Sequence, residues 1–370
     1  MKILFIANHL NVGGITSYLL TLAGGLKEKG HRVYLASSGG EMENKFVQAG
    51  IILLKAPLKT KSEISPKIFL SFWKLKRMIQ QYNIDLIHSH SRTTQVLGAW
   101  LGRSLGKPHL FTCHGFFRPK LFRKIFGCWG QKIIAISQQV KEHLVTDFEL
   151  PADKIIVINN GIDTNNFGDF SARVNMRRDL GAKNDFLVGI IARLSDVKGH
   201  IYLIRAMREV VKKIPNTKLL IVGQGKTKGV LIKETRDLGL MGHIIFIPEA
   251  KNTKDLLAAM DVFVMPSLQE GLGLALMEAM AQGVAPVGSA VGGIKTLIQD
   301  KVNGLLVAPA DAAALAQAII LLFGDPQLRG DLGSHAREFI INNFSKEKMV
   351  RETQGVYQEL LEGVITGEPK

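Results

Sequence analysis

Short apolar runs with strand character recur along this chain, and a segment of helical period separates most of them. KILFIAN is followed by GITSYLLTLAGGLKEKG and then HRVYLAS; DLIHSH, HLFTC, KIIAIS and KIIVINN come at similar intervals. Runs of Ile, Leu and Val without polar alternation suit strands covered on both faces. The intervening helices supply that cover, so the alternation predicts parallel sheets with helices on either side. The pattern pauses between about residues 160 and 185, where NNGIDTNNFGDF is dense in Asn, Asp and Gly and a short basic segment follows. FLVGIIA opens a second series, continued by KLLIVG, HIIFIP, DVFVMP, VAPVGSA and GLLVAP. The expected architecture is α/β: two doubly wound parallel-sheet domains, residues 1–168 and 169–345, facing across a cleft. The carboxyl ends of their strands would border that cleft, where open α/β sheets bind ligands. A last helical stretch, 346–370, has no strand after it and can pack back on the first domain.

A chain of 370 residues holds about two domains at ~150 residues each, with cores that need no disulfides. Cys113 and Cys128 show no metal-site spacing and read as reduced thiols of a cytoplasmic protein. MKILFIANH has too few apolar residues before Asn8 and His9 for a signal-peptide core. The longest apolar stretch, GLLVAPADAAALAQAIILLF, is broken by Pro309, Asp311 and Gln317 and reads as a strand and an amphipathic helix. Net charge is +15, and its distribution is uneven. Between Lys55 and Lys132, fifteen Lys or Arg stand against only Glu63 and Asp85. Such a block points to an anionic partner, nucleic acid or a membrane surface, or else to a solvated basic face.

Three stretches carry candidate chemistry. In NHLNVGGITSYLL the glycines fall between a strand and a helix, where backbone N–H groups at Gly14 suit a phosphate. No GxGxxG fingerprint occurs, which argues against a nicotinamide site. In FLVGIIARLSDVKGH, Arg193 and Lys198 follow a strand and can flank one pyrophosphate, the guanidinium as a bidentate donor and the ammonium as a point charge. In EGLGLALME, Gly271 and Gly273 leave a helix N-terminus uncovered, so that a diphosphate can approach its amides. Glu278 lies about two turns along, placed to accept both hydroxyls of a ribose, and Glu270 to accept hydroxyls of a sugar. Each stretch alone also fits a tight turn or ordinary surface charges.

Together, GG after the first strand, R-x4-K after a later one and E-x7-E with internal glycines resemble glycosyltransferase family 4, with the GT-B fold of two Rossmann-like domains. DLIHSHS, FTCHGFF, IIAIS, INNGID, LLIVGQG, VFVMPSLQEGLGLALMEAMAQGVAPVGSAVGG and DKVNGLLV extend the likeness over nearly the whole chain. The resemblance implies hexosyl transfer from a nucleotide-activated sugar, usually with retained anomeric configuration and without a bound metal or other cofactor. UDP is the default nucleotide. It further implies Arg193 and Lys198 at the leaving diphosphate, Glu270 on the transferred sugar, Glu278 on the ribose and His114 facing the reacting sugar. Gly13, Gly14, Asn160, Gly223, Gly271, Leu272, Gly273 and Leu274 complete the donor-binding set. The chain departs from the family at Ala192, often glycine there, and in LNVGG, which lacks a small-residue run before its glycines. No Asp-x-Asp occurs, in keeping with cationic side chains as the stabilisers of the leaving group.

SPKIFLSFWKLKRMIQQ begins with Ser65 as N-cap and Pro66 at the first helical position, and Ile68, Phe72, Leu75 and Ile79 form one apolar stripe. Phe69 and Trp73 fall off that stripe beside Lys74, Lys76 and Arg77. GFFRPKLFRKIFG repeats the mix, with Phe116, Phe117, Phe122 and Phe126 among Arg118, Lys120, Arg123 and Lys124. Aromatics among cations suit an anionic lipid interface. The expected enzyme is therefore a retaining glycosyltransferase of cell-envelope glycan or glycolipid synthesis, peripheral on the inner face of the cytoplasmic membrane, with a lipid-linked or polysaccharide acceptor. The alternatives are a nucleotide-sugar epimerase or inverting transferase on the same fold, and a non-catalytic polyanion binder. No zinc finger or RNP-like stretch supports nucleic acid.

Overall fold

Thirteen strands, all parallel to their neighbours, form two sheets in the computed structural model, which describes residues 1–60, 62–63, 65–119, 127–248 and 252–365. The first contains β1 (Lys2–Ile6), β2 (Arg32–Ser37), β3 (Ile52–Lys55), β4 (Leu86–Ser89), β5 (His109–Cys113), β6 (Lys132–Ala135) and β7 (Ile155–Val157). Their order is β3-β2-β1-β4-β5-β6-β7. The second contains β8 (Phe186–Ile191), β9 (Thr217–Val222), β10 (Ile244–Ile247), β11 (Val262–Met265), β12 (Ala285–Ser289) and β13 (Leu305–Val307), in the order β10-β9-β8-β11-β12-β13. Each sheet runs outward one way from its first strand and then reverses, between β1 and β4 in one and between β8 and β11 in the other. At such a switch the loops after neighbouring strands part to opposite faces and leave a crevice at the carboxyl edge.

One compact unit spans Met1–Gly161 with the segment from Lys346 onward; the other spans Ile162–Ser345. In the first, all of β4 and β5 and most of β1 are buried, as continuous apolar strands between helical layers require. The helix Pro66–Tyr82 begins where Ser65 Oγ accepts from Lys67 N–H and ends at Asn83 in the left-handed conformation. The helix Arg92–Leu105 has a capping box between Ser91 and Thr94. The helix Lys346–Ile365 packs on the helix Gly14–Glu28. Val350 seats over Gly25, where an added Cβ would lie 2.5 Å from Val350 Cγ2. Tyr357, fully buried, reaches β4 through a 2.7 Å bond between its hydroxyl and His88 Nδ1.

In the second unit the basic segment after the pause has a structural task. Asp261 holds Arg173 and Arg177, and both guanidiniums also donate to backbone carbonyls of residues 258–260. Because Asp261 also accepts from Leu187 N–H, this knot ties the helix Arg173–Asp179 to the start of β8.

Candidate active site

At the carboxyl edge of the second sheet, the loops after β8, β9, β11 and β12 interlock through backbone contacts that only glycine permits. Gly223, after β9, has φ +148°, and an added Cβ would lie 2.0 Å from Ala192 O; at Gly225 it would lie 2.0 Å from Leu194 O. The same two loops exchange Ala192 N–H to Val222 O at 3.0 Å and Leu194 N–H to Gln224 O at 2.9 Å. Gly199, at φ +67°, presses on Pro266 O after β11, and Val197 O accepts from Leu268 N–H at 2.8 Å. Gly292 and Gly293, after β12, close on Glu270 and Gly271 from the other side, and Gly293 N–H donates to Glu270 O at 3.1 Å. A residue with a side chain at any of these five close approaches would separate loops that must touch. The GLG and VGG stretches are thus partly framework, and Gly271, with open space around it, is the glycine that leaves room.

This framework brings together two side chains that the sequence reading assigns to different parts of a ligand. Lys198, at the end of the short 3-10 turn Asp196–Lys198, donates from Nζ to Glu270 Oε2 at 2.5 Å. Glu270 is only 10% exposed and takes further hydrogen bonds from Ser267 Oγ at 3.4 Å and Gly271 N–H at 3.2 Å. Each charge therefore has its counter-charge ready before any ligand arrives. Arg193 is different: exposed, and without an ion pair among the described residues.

The helix Leu274–Gln282 starts at Gly273 in the left-handed conformation, φ +88°, with no side-chain cap and no acid in its first turn. Its first amides are left without intrahelical acceptors and carry the positive end of the helix dipole, so they can receive an anion. Leu272 is buried in the core and anchors the turn, and Leu274 opens the helix. Farther along, Glu278 is largely enclosed and accepts one hydrogen bond, from Thr253 Oγ1 at 3.2 Å. Burial pushes its carboxyl above the usual carboxylate range, with the Thr253 bond partly opposing the rise. A desolvated acid with little hydrogen bonding of its own suits the hydroxyls of a ligand.

The carboxyl edge of the first sheet is built from aromatic rings. His114 follows β5, and its Nε2 lies 3.3 Å from Nδ1 of His90, which follows β4. Tyr18 meets His114 edge-on at 4.7 Å, and Phe5 does the same to His88 and His90. Enclosure drives His114 down to about 3, and drives His88 and His90 well below the ordinary imidazole value, so all three are neutral at neutral pH. Beside them, after β1, Gly13 and Gly14 begin the helix Gly14–Glu28, exposed and without a side-chain cap. Asn160 is buried after β7, its Oδ1 without a hydrogen-bond partner among the described residues.

His90, Ser267 and Thr253 were not singled out from the sequence. His90 had a usable signal, since DLIHSH places it directly past the end of β4. Ser267 and Thr253 had none, because their roles depend on which loop lies opposite.

On the helix Pro66–Tyr82, Phe69, Leu70 and Trp73 are 51%, 65% and 63% exposed, and Lys76 Nζ sits 5.7 Å from the Trp73 ring. Lys74 and Arg77 are exposed beside them. Phe117, expected among surface aromatics, instead packs inward. Its ring stacks on buried Phe111 at 6.3 Å while its N–H donates to His143, because the chain turns back toward the core after Gly115. Phe116 takes the outward position at 59% exposure, and Arg118 is exposed. Lys120, Arg123 and Lys124 lie outside the described residues. Among those described, no helix is long and apolar enough to cross a membrane, and no group of three or more His, Cys, Asp or Glu is arranged to hold a metal.

Residues 12–166 match the family model described as Glycosyltransferase Family 4, and residues 173–339 match Glycosyl transferases group 1. An uncharacterized glycosyltransferase of Methanocaldococcus jannaschii is 27% identical over 95% of each chain. The Escherichia coli UDP-Gal:alpha-D-GlcNAc-diphosphoundecaprenol alpha-1,3-galactosyltransferase is 27% identical over 79% of each. In fold, the chain is similar to a glycosyltransferase from Rickettsia africae, with a TM-score of 0.87 at 23% identity and 98% of each chain covered.

Proposed function

Because the chain belongs to the glycosyltransferases of the GT-B fold, its two halves matching their family models, we propose that it moves a hexosyl group from a UDP-sugar to a lipid-linked or polysaccharide acceptor. The donor and acceptor classes rest on the Escherichia coli relative, whose name gives UDP-galactose and a diphosphoundecaprenol glycolipid. The observation that carries the reading is the convergence of Lys198, Glu270 and the uncapped helix at Gly273 beside the β8/β11 switch.

In this assignment the diphosphate lies against the first amides of the helix Leu274–Gln282, with Arg193 and Lys198 beside it and Gly223 keeping the adjoining loop close. Cleavage of the sugar–phosphate bond puts negative charge on the diphosphate, and positive groups already fixed in place lower its energy without reorganising. A metal is not required for that step. Glu270, held by Lys198 and Gly271, accepts hydroxyls of the transferred sugar, and Glu278 accepts those of the ribose. For the first unit we assign the amides at Gly13 and Gly14 and the neutral His114 imidazole as hydrogen-bonding groups offered to substrate at the edge of their own sheet; Asn160 joins them. Retention follows from the family resemblance: the acceptor hydroxyl attacks on the face the diphosphate leaves. The exposed aromatics and cations of the helix Pro66–Tyr82 dock on an anionic membrane.

The test is a thermal-shift screen with UDP, GDP and ADP, followed by NMR of the first-formed product anomer. A ligand at ~100 times its dissociation constant adds about 2.7 kcal/mol of stability. Stabilisation by UDP and an anomer matching the donor are expected. No response to any diphosphate sinks the donor assignment, and an inverted product sinks retention.

A further inference from the structure

The first sheet has a second opening, at its amino edge. A cavity of about 300 Å³ is lined by Arg103 and Lys107 at the end of the helix Arg92–Leu105, His109 at the start of β5, Trp129 and Gly130 before β6, and Lys154 before β7. β5 runs from His109 to Cys113, and a parallel strand rises about 3.3 Å per residue, so the cavity lies roughly 15 Å from His114. A small molecule bound here does not touch the edge where the transfer chemistry is assigned.

Charge marks the cavity first. Nearby cations have acids of their own: Arg92 pairs with Glu63 at 3.1 Å and Lys132 with Glu359 at 2.7 Å. Among the described residues, Arg103, Lys107 and Lys154 have no ion-pair partner and no acid lines the cavity with them. Three unmatched cations around one concavity raise the local concentration of anions.

Two buried polar atoms give an independent sign. His109 is 2% exposed; its Nε2 lies 2.7 Å from Ser89 Oγ, while Nδ1 has no hydrogen-bond partner among the described residues. Trp129 Nε1, which can only donate, is likewise buried and unpartnered. Native interiors rarely leave such groups unmatched. Trp129 Nε1 is a fixed donor, and His109 Nδ1 donates in the tautomer whose Nε2 accepts from Ser89 and accepts in the one whose Nε2 donates to it. Burial, aided by Arg103, holds the imidazole down to about 3, so the positive charge comes from the three cations and not from the ring. The backbone keeps the place clear. At Gly130, φ +84°, an added Cβ would lie 2.5 Å from His109 O and 3.0 Å from His109 Nδ1.

We propose that this cavity binds a phosphate ester through Arg103, Lys107 and Lys154, with the Trp129 N–H donating to the ligand's oxygens and His109 Nδ1 hydrogen-bonding to its phosphate or a hydroxyl. The volume is at the small end of ligand pockets, which suits a phosphate carrying a glycerol or one sugar better than a whole nucleotide sugar. Such a group arrives either as a soluble monoester or as the headgroup of an anionic lipid, and binding experiments separate the two.

The full chain is titrated calorimetrically with glycerol 3-phosphate and, separately, floated with phosphatidylglycerol vesicles, against R103A/K154A. K74A/R77A, which removes equal charge from the helix Pro66–Tyr82, is the control. The expected result is saturable binding of glycerol 3-phosphate, weakened tenfold or more in R103A/K154A, unchanged in K74A/R77A, and reduced a few-fold in Trp129→Phe. Unaltered thermal unfolding and UDP binding in R103A/K154A exclude misfolding as the cause. If glycerol 3-phosphate does not bind, and R103A/K154A lowers vesicle binding by more than K74A/R77A does, the ligand is a lipid headgroup. No saturable binding of either probe, or binding that R103A/K154A leaves intact, overturns the site.

Discussion

At the carboxyl edge of the first sheet the side chains that meet are His88, His90 and His114, ringed by Phe5, Tyr18 and Tyr357. At the corresponding edge of the second, Lys198 meets Glu270 among glycine-mediated backbone contacts, and Glu278 bonds to Thr253 farther along the helix Leu274–Gln282. Both edges sit at a reversal of strand order in a parallel sheet. Aromatic walls desolvate the histidines and leave them neutral, so that edge can exchange hydrogen bonds with hydroxyls and little else. Close backbone packing leaves room for a lysine, a glutamate and a helix N-terminus, so the other edge can meet an anion. One topology thus provides two chemically different rims, and the walls decide which is which.

The comparison breaks most readily at the ion pair. Lys198→Ala is expected to lower kcat by about 10²–10³-fold, the size of effect seen when one fixed donor to a developing negative charge is removed. It also leaves Glu270 enclosed without its counter-charge, so thermal stability should fall. Initial rates with UDP-sugar and a melting curve check both; an unchanged rate would make the pair purely structural.

Glu278→Gln should weaken UDP binding by about 10–100-fold, the loss of one charge-assisted hydrogen bond of roughly 1.5–3 kcal/mol. Stability should move in the opposite direction. A carboxyl whose folded pKa is raised binds its proton more readily folded than unfolded, so stability declines as pH rises from the unfolded pKa through the folded one. The glutamine variant should therefore melt higher than the parent at neutral pH, and the difference should vanish below the usual carboxylate range. Calorimetric titration and melting curves across pH read the two effects.

The neutral rim should give a smaller change. His114→Ala is expected to reduce kcat by about fivefold, the loss of a neutral hydrogen bond of ~1 kcal/mol. With the ring neutral above about 3, His114 should contribute no limb to the rate profile between pH 5 and 8. Its depressed pKa also means that the unfolded chain binds protons first, so stability should fall as pH drops below about 6.5. An ionisation near pH 6.5 that disappears in His114→Ala would show that the ring is not enclosed during turnover. The mildest effect is expected on the helix Pro66–Tyr82, where Trp73→Ala should reduce partition onto anionic vesicles a few-fold without changing UDP binding; unchanged partition would sink the docking assignment.

The α/β class and the two series of parallel strands could be read from the alternation of apolar runs, because a strand buried on both faces must be apolar throughout. Candidate chemistry was readable wherever a motif sits directly after a strand, as at Arg193, Glu270 and His114. Other features were out of reach of periodicity. That Lys198 and Glu270 bond to each other depends on the loops after β8 and β11 meeting, and that meeting depends on Gly199 lying against Pro266. Phe116 and Phe117 are identical neighbours, yet one faces outward and the other stacks on Phe111, a choice made by the turn after Gly115.

Local pattern thus determined which segments become strands and helices, and which residues follow each strand, since those properties depend on neighbours in the chain. The tertiary structure alone decided which charges are matched, which histidines are dry and where the last helix packs. Those outcomes depend on atoms far apart in sequence, as between His88 and Tyr357, whose separation along the chain carries no periodic signal.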